Sequence, residues 1–90
     1  MEKVVDNRAE HEFELVVGGH RAVAAYQMED DTIVFTHTIV PKKVEGRGVG
    51  SQLIKAALNS ARDRGLHVIP QCPFVKAYIE RHPEYQALLG

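Results

Sequence analysis

Apolar and charged positions alternate from His11 to Val17, with Phe13, Leu15 and Val17 on one side and Glu12 and Glu14 on the other. That period marks a half-buried strand. Gly18-Gly19 is a hairpin signal, and Arg21 to Tyr26 reads as the returning strand. Glu29-Asp30-Asp31 reads as a solvated polar turn. Thr32 to Val40 is rich in β-branched residues and predicts the longest strand. Its apolar residues fall on both faces, which predicts a central place in the sheet. Pro41 ends it, because proline cannot donate to a ladder.

The period then changes. Val49, Leu53, Ile54, Ala57, Leu58 and Ala61 recur at helical spacing and form one apolar stripe. Gln52, Lys55, Asn59, Arg62 and Asp63 fall on the opposite side. Arg62 and Arg64 suit the negative end of the helix dipole, and Gly65 predicts a C-terminal cap. Leu66 to Pro70 predicts a short buried strand. Phe74 to Arg81 predicts a second helix, stopped by His82-Pro83. Tyr85 to Leu89 suits a last helical turn. The order β-β-β-α-β-α predicts an α/β (α+β) mixed sheet. Short loops make the first three strands an antiparallel meander. A right-handed crossover lays the last strand parallel to the third.

Composition narrows the class. Ninety residues predict a single domain, 1–90, and 44% hydrophobic with 26% charged residues is a globular balance. A core of this size gives modest stability, compatible with a monomer or a weak homodimer. A net charge of −1 supplies no general attraction to nucleic acid or to an anionic membrane. Cys72 is the single cysteine, so no internal disulfide is expected. Met1 to Asp6 lacks the apolar segment of a secretory leader. No run approaches the ~18 apolar residues of a membrane span. Together these predict a cytoplasmic protein.

The chemistry concentrates in Val44-Glu45-Gly46-Arg47-Gly48-Val49-Gly50-Ser51. A strand, a glycine-rich turn and a helix N-terminus make a cradle for a phosphate-bearing ligand. Glycines allow close backbone approach, and unpaired first-turn amides hold the anion. A Walker A loop would need lysine before Ser51, where Gly50 stands. The dinucleotide fingerprint would need glycine at Ser51 and a larger doubly wound fold.

Glu45-Gly46-Arg47-Gly48-Val49-Gly50 resembles motif A of the GNAT superfamily of N-acetyltransferases, Arg/Gln-x-x-Gly-x-Gly/Ala. The likeness extends from about His11 through the strand order and the run Val68 to Tyr85. That run resembles a group of very small, minimal GNAT-like proteins that lack the usual N-terminal helices and last strands. The resemblance implies that the amides of Gly46, Arg47, Gly48, Val49, Gly50 and Ser51 wrap the pyrophosphate of acetyl-coenzyme A. It implies that Ile39 and Val40 offer backbone groups to the pantetheine arm, and that the next strand splays away to open a slot for the thioester. Glu45 departs from the family pattern. A carboxylate beside a pyrophosphate is unfavourable unless it points away or pairs with Lys42, Lys43 or Arg47.

Other residues have a functional and a structural reading. Cys72, just past the strand expected to line the slot, could accept the acetyl group or shuttle a proton, or simply pack. His37 could deprotonate an ammonium or serve as a hydrogen-bonded strand residue. Tyr78 could protonate a leaving thiolate, or sit as an amphipathic core residue. Lys76 could reach the coenzyme's phosphates or face solvent. The remaining histidines show no metal spacing, so no metal is expected. The implied activity is acetyl transfer from acetyl-coenzyme A to an amine of a small molecule or protein. Alternatives are a coenzyme A or acyl-CoA binding module without turnover, and an interaction domain that keeps only the fold.

Overall fold

The computed structural model describes residues 3–89. Met1 and Glu2, part of the stretch read as lacking a leader segment, lie outside the described residues. The elements are β1 (Val5–Asn7), β2 (Glu12–Val17), β3 (His20–Glu29), β4 (Thr32–Ile39), α1 (Val49–Asp63), β5 (His67–Pro70) and α2 (Pro73–Arg81). Short 3-10 turns occupy Lys42–Val44 and Pro83–Leu89. The five strands form one sheet in the order β1-β2-β3-β4-β5. Each neighbouring pair among the first four is antiparallel, and β5 runs parallel to β4.

The expected mixed sheet and crossover are present, with three differences. β1 extends the meander to four strands. Only three residues long, it pairs Val5 with Glu14 and Asn7 with Glu12, and it is held by tertiary bonds that no local period announces. Tyr26 Oη donates to Asp6 Oδ1 at 2.6 Å, and Arg64 of the α1 C-terminus reaches Asp6 at 3.5 Å. The longest strand is β3, ten residues against eight for β4. The middle place in the sheet also belongs to β3, with β4 beside the edge strand β5. Val34, whose apolar side chain argued for burial on both faces, is 4% exposed.

Local signals behave as their chemistry requires. Gly18 and Gly19 turn the β2–β3 hairpin with φ of 56° and 78°, the left-handed pair that matches strand twist. Gly65 closes α1 in a Schellman arrangement: its N–H donates to Arg62 O, and Leu66 N–H donates to Ala61 O. Phe13, Leu15, Ala22, Ala24, Tyr26, Ile33, Phe35 and Val68 line one sheet face and pack on the apolar sides of α1, α2 and Tyr85. On the other face Val5, Val16, Ile39 and Ile69 are exposed, as one face of an antiparallel sheet can be. Among the described residues no helix is long and apolar enough to cross a membrane.

Candidate functional site

The site begins where β4 loses a neighbour. β3 accompanies β4 as far as Ile39, whereas β5 accompanies it only from Thr32 to Phe35. The last bond across is Cys72 N–H to Phe35 O at 3.0 Å. Beyond it the chain turns into α2, and the β5 side of β4 is bare from Thr36 onward. The ladder to β3 also skips there: Tyr26 stands opposite Phe35 and Ala25 opposite His37. Thr36 is therefore an extra residue, a β-bulge that bends the strand and increases its twist. Its hydroxyl donates to Ala25 O at 3.3 Å.

The bulge decides which backbone groups reach the bare edge. Tyr26 N–H donates to His11 O, so Tyr26 faces β2. By alternation Ala25 and Val23 face β4, and their partners His37 and Ile39 direct their polar groups back toward β3. Thr38, between them, directs its N–H and C=O to the bare edge. The side chains alternate across the sheet in the same way. Thr38 lies opposite the fully buried Ala24 on the helix-covered face, while His37 and Ile39 are exposed on the other.

The loop after β4 is pegged at one point and open at another. In the Lys42–Val44 turn, Val44 N–H donates to Pro41 O at 3.0 Å, and the Val44 side chain is 2% exposed in the core. Gly46 and Gly48 then take φ of 82° and 73°, left-handed values that side chains other than glycine's resist. Gly48 caps α1 with no side-chain hydrogen bond, and the first turn carries no acidic residue. The first helical bond is Gln52 N–H to Gly48 O at 2.9 Å. The amides of Val49, Gly50 and Ser51 therefore have no partner inside the helix, and they sit at its positive end.

A cavity of about 560 Å³ lies between these parts. Thr38 to Val40 form one wall; Val44 to Gly46, Gly48 to Ser51 and Phe74 form the rest. It joins the bare strand edge to the uncapped helix start. Glu45 lines it. Among the described residues no ion pair within 4.0 Å joins Glu45 to Lys42, Lys43 or Arg47. Arg47 is exposed and outside the lining.

The structure brings some of the anticipated residues together and separates others. Ile39, Val40, Glu45, Gly46, Gly48, Val49, Gly50 and Ser51 line one space. Cys72 lies behind it, 3% exposed, as the N-cap residue of α2, with Sγ 3.3 Å from Thr38 Oγ1. His37 is on the opposite sheet face. Tyr78 borders a cleft of about 110 Å³ with Ala77 and Arg81 that adjoins the cavity, sharing Ser51 and Phe74 with it. Its ring stacks on His82 with centroids 3.9 Å apart, and burial pushes its phenol above the usual tyrosine value. Lys76 lines a third space beside Ile69 and Leu89. Thr38 and Phe74 were not singled out from the sequence. Alternation from His37 marks Thr38 as the residue turned to the other face, but only the bulge and the end of β5 show that its backbone is free. Among the described residues no group of His, Cys, Asp and Glu is placed to hold a metal ion.

A mixed sheet whose fourth and fifth strands part beside a glycine-lined helix start defines an α/β domain with an anion cradle and an adjoining slot. A family model described as GCN5-related N-acetyl-transferase matches residues 12–88, and the chain belongs to that family. It is similar to Protein NATD1 of Mus musculus, 32% identical over 89 residues that cover 96% of this chain and 81% of the relative. The Homo sapiens protein is likewise 32% identical, with 96% and 79% covered. A Staphylococcus aureus protein described as GCN5-like, a candidate N-acetyltransferase, superposes in its solution structure with a TM-score of 0.74. It is 28% identical, with 96% of this chain and 85% of that chain covered.

Proposed function

We propose that the protein transfers an acetyl group from acetyl-coenzyme A to an amine. The observation that carries this reading is the continuity of the cavity. One space joins an unpaired helix N-terminus, suited to a pyrophosphate, to a free strand edge, suited to an extended amide-bearing arm. Its length and two-part chemistry match coenzyme A better than a simple phosphate. In this reading the amides of Gly46 to Ser51 hold the pyrophosphate. The free N–H of Thr38 stands where it can polarise a thioester carbonyl and stabilise the oxyanion that forms on attack. The amine must arrive unprotonated; His37 does not line the cavity and is exposed on the opposite sheet face, so it can act as base for an amine that arrives from that side.

Coenzyme A titrated into the labelled protein should shift the amides of Gly46 to Ser51 selectively. Unperturbed amides at millimolar ligand would sink the reading. With binding established, acetyl-coenzyme A and a panel of small and peptidic amines should give acetylated product above the uncatalysed rate.

A second reading, binding of coenzyme A or acyl-CoA without turnover, has its own support. Cys72 is 3% exposed, Lys76 borders another space, and Tyr78 does not itself line the cavity. Shifts at the loop without product on any amine would favour it.

A further inference from the structure

We propose that Arg81 reads the 3′-phosphate of coenzyme A, so that the site distinguishes the full coenzyme from its dephospho form; this deepens the functional reading above and rests on it. The place assigned to that phosphate is the cleft of about 110 Å³ beside the cavity, bordered by Ser51, Phe74, Ala77, Tyr78 and Arg81.

Charge singles out Arg81. Among the described residues, those lining the cavity include one carboxylate, Glu45, and no lysine or arginine. A pyrophosphate held there meets backbone amides and a helix end, which supply partial charges only. Coenzyme A carries one more phosphate, on the ribose that follows the pyrophosphate. It is a monoester with a charge of about −1.5 to −2 at neutral pH. Lys42, Lys43 and Arg47 line neither the cavity nor the cleft, and Lys76 borders the space beside Ile69 and Leu89. Arg81 is the cation that borders the cleft, and among the described residues no carboxylate borders it. No ion pair within 4.0 Å among the described residues engages its guanidinium.

Helix geometry brings that charge to the outer end of the site. Phe74, Ala77, Tyr78 and Arg81 stand three or four residues apart and form one stripe of α2. Side chains on a helix lean toward its N-terminus. Arg81, in the last turn, therefore leans back along the stripe toward Phe74. Phe74 packs against Gly50 in the first turn of α1, and Ser51 follows Gly50. Ser51 and Phe74 border both spaces. A ligand with its pyrophosphate on the amides of Gly50 and Ser51 has its next group at the mouth of the cleft. There the guanidinium, a planar fork of N–H donors, suits a phosphate in shape as well as charge.

Calorimetric titration of the full chain with coenzyme A and with dephospho-coenzyme A tests the assignment. Wild type should bind coenzyme A about fivefold more tightly, the worth of one exposed charge pair, and salt should shrink that preference. Arg81 is exposed, so Arg81→Gln leaves the core untouched. It should lose the preference by weakening coenzyme A alone, with dephospho-coenzyme A bound as before. Arg81→Lys keeps the charge and should retain part of the preference. In labelled protein, coenzyme A should shift the amides of Ala77, Tyr78 and Arg81 as well as those of Gly46 to Ser51, and dephospho-coenzyme A the loop alone. Equal affinities of wild type for the two ligands, a preference that survives Arg81→Gln, or an equal loss for both ligands in that variant would overturn the inference. Loop shifts with both ligands and no preference between them leave the functional reading standing and remove this one. No loop shift with coenzyme A removes both.

Discussion

Phe74 lies across the Cα of Gly50: a Cβ placed on Gly50 would come within 2.7 Å of Phe74 Cζ. This packing brings the start of α2 against the start of α1 and closes one end of the cavity. Phe74 is 41% exposed, so its ring has room to swing.

Gly50→Ala should therefore weaken coenzyme A binding without unfolding the protein. Alanine favours a helix over glycine by up to ~1 kcal/mol, which offsets the cost of displacing an exposed ring. The expected outcome is a Tm near wild type with a clearly higher Kd. Adding Phe74→Leu should restore part of the affinity. An unchanged Kd in Gly50→Ala would show that the ring does not shape the ligand space.

Gly46→Ala and Gly48→Ala should behave differently. Nothing lies within 4 Å of a Cβ at either position, but both residues have positive φ. The cost is conformational, about 1 kcal/mol each, and the loop can relieve it only by changing shape. Chemical denaturation should show that loss, and coenzyme A binding should fall in parallel as the amides turn away.

Glu45→Gln should tighten coenzyme A binding. Glu45 lines the cavity without an ion-pair partner within 4.0 Å among the described residues, so its charge opposes an incoming pyrophosphate. For a solvent-exposed charge the gain is ~1 kcal/mol at most, roughly fivefold in Kd. Titrations at low and high salt should show the difference shrinking as salt screens it.

Tyr26 predicts an alkaline limit to stability. Burial first, then the Asp6 carboxylate that accepts its hydrogen bond, push its phenol up to about 12 from an ordinary value of 10.0. The folded state disfavours the phenolate more than the unfolded chain does. The associated stability is present in full below about pH 10 and is lost as pH rises toward 12. Denaturation midpoints across that range should fall more steeply for wild type than for Tyr26→Phe. At neutral pH, Tyr26→Phe should cost about 1.5 kcal/mol by removing a bond to a charged acceptor.

What was legible in the chain was local. The alternation of Phe13 and Leu15 against Glu12 and Glu14, the stripe from Val49 to Ala61, and the glycines at 18, 19 and 65 each placed an element. A two-residue or 3.6-residue period, or a left-handed φ, is set by near neighbours. The glycine loop was legible for the same reason. β1 was not, because Val5 to Asn7 has no period of its own and depends on Tyr26 and Arg64 reaching Asp6 from distant segments.

The sequence alone determined the order of elements from β2 onward, the family resemblance and the loop that starts α1. The tertiary structure decided the site's working face. Register between β3 and β4 is a property of two strands at once, so the bulge at Thr36 appears only when they are paired. That bulge and the early end of β5 turn His37 to the open face and free the Thr38 backbone. Burial is also shared between segments. Cys72 became an interior thiol behind Thr38 because Phe35, α1 and α2 close around it, which its own neighbours in the chain do not dictate.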